Sequence, residues 1–136
     1  MGRILAIDYG RRRTGLAVTD PAQIIPGGLT TVATGELLKF LDEYMKRETV
    51  ERVVVGWPTQ TSGQPSENQQ RVAEFVRAFE RRHPDVPVVK QDERFTSVIA
   101  HRTMIDAGLS RKRRQDKALV DEISATLILQ QYMDGR

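Results

Sequence analysis

Apolar positions along this chain follow two rhythms, short continuous runs and longer stretches that repeat every third or fourth residue. The first run, Arg3-Ile4-Leu5-Ala6-Ile7-Asp8, is apolar on both faces of an extended chain and predicts a short buried strand. Tyr9-Gly10 opens a turn, and Thr14–Thr19 predicts a second strand pairing back on the first. A third strand is expected over Leu29–Ala33. Thr34 stands where it can cap a helix over 35–48, with Leu37, Leu38, Leu41 and Met45 along one face. Val53-Val54-Val55 forms the core of a β-branched strand ending at Gly56-Trp57-Pro58.

Thr59–Pro65 is polar and contains Gly63, the composition of a loop. Ser66 and Gln69 form a capping-box pair, which starts a helix running to Arg82 with Val72, Phe75, Val76 and Phe79 inward. His83-Pro84 ends it. Val86–Gln91 predicts a fifth strand, and Thr96 or Ser97 caps a helix ending near Ala107-Gly108. A basic loop follows, and Asp116 caps the last helix, Lys117 to Asp134. The order β-β-β-α-β-α-β-α-α predicts an α/β fold, a mixed five-stranded sheet with helices on both faces. With 136 residues and neither repeat nor linker, the chain is expected to be a single domain spanning 1–136.

Composition narrows the chemistry. There is no cysteine, which excludes a disulfide framework, a thiolate zinc site and a cysteine nucleophile. His83 and His101 are too few for a histidine metal cluster. No apolar run has the length of a membrane span and the start lacks a signal-peptide layout, so a cytoplasmic location without membrane association is expected. The net charge is only +3, but 16 of the 21 basic residues are Arg, whose planar fork suits phosphate. They concentrate at Arg11-Arg12-Arg13 and at Arg111-Lys112-Arg113-Arg114, which are either solvated charged loops or contacts to a polyanion.

Three acidic positions stand out. Asp8 ends the first strand just before a glycine turn, where ligands gather in open α/β sheets, although an Asx-turn would also use it. Asp92 and Glu93 follow the fifth strand, and because side chains alternate only one of them can face a shared site. On the last helix, at ~100° per residue, Asp121 falls between Ile128 and Tyr132 with Ala125 nearby. Glu122 instead shares a stripe with Thr126 and Gln130, the expected solvent face. An inward carboxylate must be protonated or find a partner, either an Arg from a neighbouring element or a metal. Acids at two strand ends and on one helix face suit Mg²⁺ or Mn²⁺, since hard oxygen donors and phosphate substrates go together. Phosphoryl transfer or phosphodiester hydrolysis is the matching chemistry.

Four motifs carry a resemblance. Residues 4–20, Ile-Leu-Ala-Ile-Asp-Tyr-Gly-Arg-Arg-Arg-Thr-Gly-Leu-Ala-Val-Thr-Asp, resemble the opening motif of the RuvX/YqgF family of RNase H-like nucleases. Val-Val-Val-Gly-Trp-Pro (53–58), Asp-Glu-Arg-Phe-Thr-Ser (92–97) and the segment 117–130 are similar to its second, third and fourth motifs. The first motif alone is shared with actin-like ATPases, but that architecture encloses nucleotide between two such domains. The resemblance implies an RNase H-like fold and a metal-dependent nuclease whose catalytic, metal-holding acids are Asp8, Glu93 and Asp121, with Glu93 selected over Asp92. It also implies two substrates, the 5′ end of pre-16S ribosomal RNA and the Holliday junction, the latter requiring a homodimer. Two departures accompany it. Trp57 stands where the family has an aliphatic residue, and Ser124 replaces the extra carboxylate that RuvC-type resolvases carry on this helix, leaving fewer ligands for a second ion. A non-catalytic nucleic-acid-binding module with the same fold is the alternative.

Overall fold

A computed structural model describes residues 2–58, 67–92 and 102–136. Five strands form one sheet: β1 (Arg3–Asp8), β2 (Arg13–Thr19), β3 (Pro26–Ala33), β4 (Val50–Trp57) and β5 (Val88–Asp92), in the order β3-β2-β1-β4-β5. β1, β2 and β3 pair antiparallel, while β1 pairs parallel with β4 and β4 with β5. The sheet is therefore mixed, as the sequence pattern predicts. The α-helices are α1 (Leu37–Arg47), α2 (Glu67–Arg82), the short α3 (Arg111–Arg114) and α4 (Lys117–Asp134). Residues 102–106 are also helical and end in a turn where Gly108 has φ +77°. That left-handed conformation suits glycine and closes the helix where expected.

The continuous apolar run of β1 has a simple cause, since helices cover both faces of the sheet. Leu5 and Ile7 pack with Leu37 and Leu41 of α1 and with Val72, Phe75, Val76 and Phe79 of α2. Ile4 and Ala6 point the other way, into Ala125, Ile128 and Leu129 of α4. Val54 joins the α4 side, while Val53 and Val55 join the other. No helix among the described residues is long and apolar enough to cross a membrane.

Several local expectations need correction. Thr34 does not cap α1 with its side chain, because its hydroxyl donates to the Gly10 carbonyl at 2.7 Å and meets the Thr14 hydroxyl at 3.0 Å. Its backbone N–H donates to the Arg12 carbonyl, so Thr34 opens a 3₁₀ turn tied to the β1–β2 hairpin, and α1 begins at Leu37. The third strand starts at Pro26 rather than Leu29, and the fifth runs Val88–Asp92. The basic segment expected as a loop holds α3, because the Ser110 hydroxyl accepts from the Arg113 N–H and supplies a cap. Asp116 does cap α4, accepting from the Ala118 and Leu119 N–H groups. The expected loop Thr59–Pro65, the caps at Ser66, Thr96 and Ser97, and Glu93 lie outside the described residues.

Asp42 ties α1 to the end of α2. It accepts from Arg82 Nη2 at 2.6 Å and lies 2.7 Å from His83 Nε2. The Arg82 hydrogen bond, aided by His83, holds its carboxyl below the ordinary 3.8. A depressed carboxylate stabilises the fold fully above its ordinary range, and the contribution disappears as pH falls through the lower folded value. Urea titrations should therefore show wild type losing stability below pH ~4, by about 1 kcal/mol or less from this pair because Arg82 is half-exposed. Asp42→Asn should start lower at neutral pH and lack that component, and parallel curves would remove the assignment.

Candidate active site

One glycine sets the geometry. Ile4 and Ala6 face α4, so alternation along β1 puts Asp8 on the same side. Across the antiparallel pair, Asp8 lies opposite Gly15 of β2, at a Cα separation of about 4.5–5.5 Å. A Cβ on Gly15 would sit 2.0 Å from the Asp121 carbonyl oxygen and 3.0 Å from the Asp121 Cβ. The α4 backbone therefore rests directly on Gly15, and Asp121 stands beside Asp8 because position 15 has no side chain. Gly15 was not among the residues singled out in the sequence. The available signal was a glycine inside a strand pattern, which marks close approach by another backbone.

Asp121 has an arginine partner. Arg13 Nε donates to Asp121 Oδ2 at 2.8 Å, with side chains 42% and 21% exposed respectively. Arg13, expected as part of a polyanion-contacting hairpin, thus also pairs with the helix carboxylate through Nε. Arg11 and Arg12 are exposed beside it. Arg111, Lys112 and Arg113 are exposed on α3, immediately before the helix that carries Asp121.

Glu122 departs from expectation. Its stripe is not the solvent face: Glu122 and Thr126 approach Gly28 of β3, each 3.6 Å from where a Cβ would stand. Helix α4 lies across β1, β2 and β3, so flanks that a helical wheel assigns to water meet the sheet. Burial, with some contribution from Asp116, pushes the Glu122 carboxyl up.

The fifth strand fixes the face of Asp92. Val89 packs toward α4 and Val88 toward the opposite core, so alternation puts Asp92 with Val88, away from the side of Asp8. Among the described residues no three His, Cys, Asp or Glu side chains converge on one point. The donor set at Asp8 and Asp121 nonetheless fits a hard divalent cation, because both are carboxylates and Asp121 already holds a guanidinium cation. A cleft of about 350 Å³ bounded by Glu48, His83 and Val86 lies where β4 begins, at the far end of the sheet from Asp8.

The chain is similar to known proteins along its whole length. The RuvX family model, described as Holliday junction resolvase, matches residues 2–135. A Bacteroides fragilis protein named as a candidate pre-16S rRNA nuclease is 60% identical over 136 residues, all of this chain and 99% of its own length. A Porphyromonas gingivalis protein of the same name is 55% identical over 135 residues, 99% of this chain and 98% of its own. Among solved structures, Thermus thermophilus RuvC in complex with Holliday junction substrate superposes with a TM-score of 0.55, at 17% identity over 98% of this chain and 96% of that one. A second Thermus thermophilus RuvC structure gives 0.52 at 19% identity, over 97% and 96% of the two chains. At such identities the likeness is one of fold, and the fold is RNase H-like.

Proposed function

The chain belongs to the RuvX family, and from that premise we propose that it is a metal-dependent endonuclease, a single domain hydrolysing phosphodiester bonds of structured nucleic acid. The observation that carries this reading is the placement of Asp121 against Asp8 across Gly15 at the end of β1. Asp8 and Asp121, together with Glu93, would hold Mg²⁺ or Mn²⁺. Bound there, such an ion would supply charge neutralisation at the phosphate and a water acidic enough to ionise to the attacking hydroxide.

The chain's own residues do the rest. Without a counter-charge, the carboxylates repel a phosphate backbone, so cleavage should require the cation. Arg13 engages Asp121 through Nε, so its terminal nitrogens can grip a phosphate oxygen pair beside the acids. Arg11 and Arg12 extend that contact along the hairpin. Arg111, Lys112 and Arg113, exposed on α3, would supply a second phosphate contact ahead of α4, with Arg114 next to them in sequence. Replacing these four by Gln should reduce the slope of log affinity against log salt by roughly 2–4, at ~0.9 per duplex phosphate contact. An unchanged slope would remove the patch from the binding surface.

Two substrates fit the same chemistry: the 5′ end of pre-16S rRNA and a Holliday junction. Junction resolution adds a requirement, a two-fold dimer whose two sites cut opposed strands. Both substrates are intracellular nucleic acids, which supports a cytoplasmic location. Incubating purified protein with labelled four-way junction and with precursor rRNA, in Mg²⁺, Mn²⁺ or EDTA, tests it directly. Cation-dependent cleavage of either is the expected result. Binding without cleavage of both would favour a non-catalytic module and overturn the nuclease reading.

A further inference from the structure

Trp57, the chain's sole tryptophan, has no role in the chemistry above. It ends β4, paired in register with Asp92 of β5, and is half-buried against the core under α1 and α2. The Lys90 ammonium stands over its ring, 4.2 Å from the centroid. With Val76, Arg77, Glu80 and Val88 the pair lines a cleft of about 330 Å³ between α2 and β5. Arg77 and Lys90 are exposed, so two cations and one carboxylate flank a partly accessible aromatic ring.

We propose that this cleft binds an unpaired nucleotide of the substrate strand, its base stacked on Trp57 and its phosphate held by Arg77 and Lys90. Every base offers a flat π-face to an indole, and the ring face here is covered by an exposed lysine side chain rather than by the core. Lys90, long and exposed, can leave the ring for the phosphate as the base arrives. The proposal rests on the nuclease reading, which brings a strand with both a base and a phosphate past this cleft.

Position connects the cleft to the acids. Ile7 of β1 pairs with Val55 of β4. Asp8 lies one residue beyond the first and Trp57 two beyond the second, on strands about 4.8 Å apart. Alternation puts Asp8 on the α4 face and Trp57 on the opposite one. A strand laid over the ends of β1 and β4 therefore meets both, with the scissile phosphate at Asp8 and a neighbouring nucleotide turned over the sheet edge onto Trp57. A base locked in a duplex cannot make that turn, so the cleft selects for an unpaired flank beside the cut.

The single tryptophan makes the test direct. Full-length Asp8→Asn protein, which retains Trp57 and is expected not to cleave, is titrated in Mg²⁺ with a fluorescein-labelled duplex carrying a single-stranded overhang, and with its blunt counterpart. Label polarisation reports binding, and indole emission, read with the same oligonucleotides unlabelled, reports stacking. The expected result is that both duplexes bind but only the overhang quenches Trp57. Trp57→Ala and the milder Trp57→Phe should weaken overhang binding, the former by roughly tenfold or more, and leave blunt-duplex binding unchanged. Arg77→Gln with Lys90→Gln should weaken overhang binding in the same selective way. Overhang binding with unchanged indole emission would overturn the subsite while leaving the nuclease reading intact. No polarisation change with either duplex would overturn that reading and the subsite with it.

Discussion

Asp121→Asn should reduce nucleic-acid cleavage by on the order of a thousandfold, about 4 kcal/mol of transition-state stabilisation, with little effect on folding. The substitution keeps the shape of the side chain and removes its charge, which is what the proposed cation and Arg13 both engage. Its structural cost is small because the pair with Arg13 is partly solvated, at 42% and 21% exposure. Such pairs contribute under about 1 kcal/mol, so Tm should move by no more than about 3 °C. Substrate binding should remain measurable, since the basic residues are untouched. Asp8→Asn should behave alike, being the neighbouring carboxylate at the end of β1. Single-turnover cleavage beside a thermal melt decides the matter. An Asp121→Asn protein cutting within threefold of wild type would exclude Asp121 from the site.

Gly15→Ala is expected to damage stability and activity together. The added methyl would stand 2.0 Å from the Asp121 carbonyl oxygen and 2.4 Å from its carbonyl carbon. Both atoms belong to the helix backbone, so the clash cannot be relieved by turning a side chain. Either α4 lifts from the sheet or β2 bends beneath it, at a cost of about 1–3 kcal/mol for overpacking. The same displacement moves Asp121 relative to Asp8, and a shift of about 1 Å in a catalytic group costs on the order of a hundredfold in rate. Gly28→Ala is the matched control, because its new methyl meets Glu122 and Thr126 at an ordinary 3.6 Å. It should leave the urea midpoint and the cleavage rate near wild type. Gly15→Ala with wild-type stability and rate would mean that α4 does not need its present seat on β2.

Helix starts show where local reading succeeded and where it did not. Asp116 and the following apolar period predict α4 correctly, because an N-cap and its first turn are neighbours in sequence. Thr34 has the same local credentials, yet its hydroxyl goes to Gly10 and Thr14, partners brought by the hairpin. Glu122 fails for a related reason. A helical wheel separates inside from outside for a helix on one partner, whereas α4 spans β1, β2 and β3 and meets the sheet along its flanks.

The candidate site divides the same way. Asp8 and Asp121 were legible as acids at a strand end and on an inward helix face, and an Arg from another element was already one of the two partners considered for Asp121. Which arginine it is, Arg13 from 108 residues earlier, depended on the hairpin lying beneath α4. Gly15 went unmarked, although it alone explains why the two acids adjoin.

The sequence by itself determined the five strands, the longest helix, the mixed sheet and the family, because apolar periodicity and the four motifs are local patterns that each segment carries within it. It also excluded thiolate ligands for any metal, since cysteine is absent. Only the tertiary structure decided the register of Asp8 opposite Gly15, the seating of Asp121 upon it, the Arg13 pair and the Trp57 cleft. Those are contacts between segments far apart in the chain. Their geometry is set by which backbones can approach most closely, and that becomes defined only when the sheet and its helices pack.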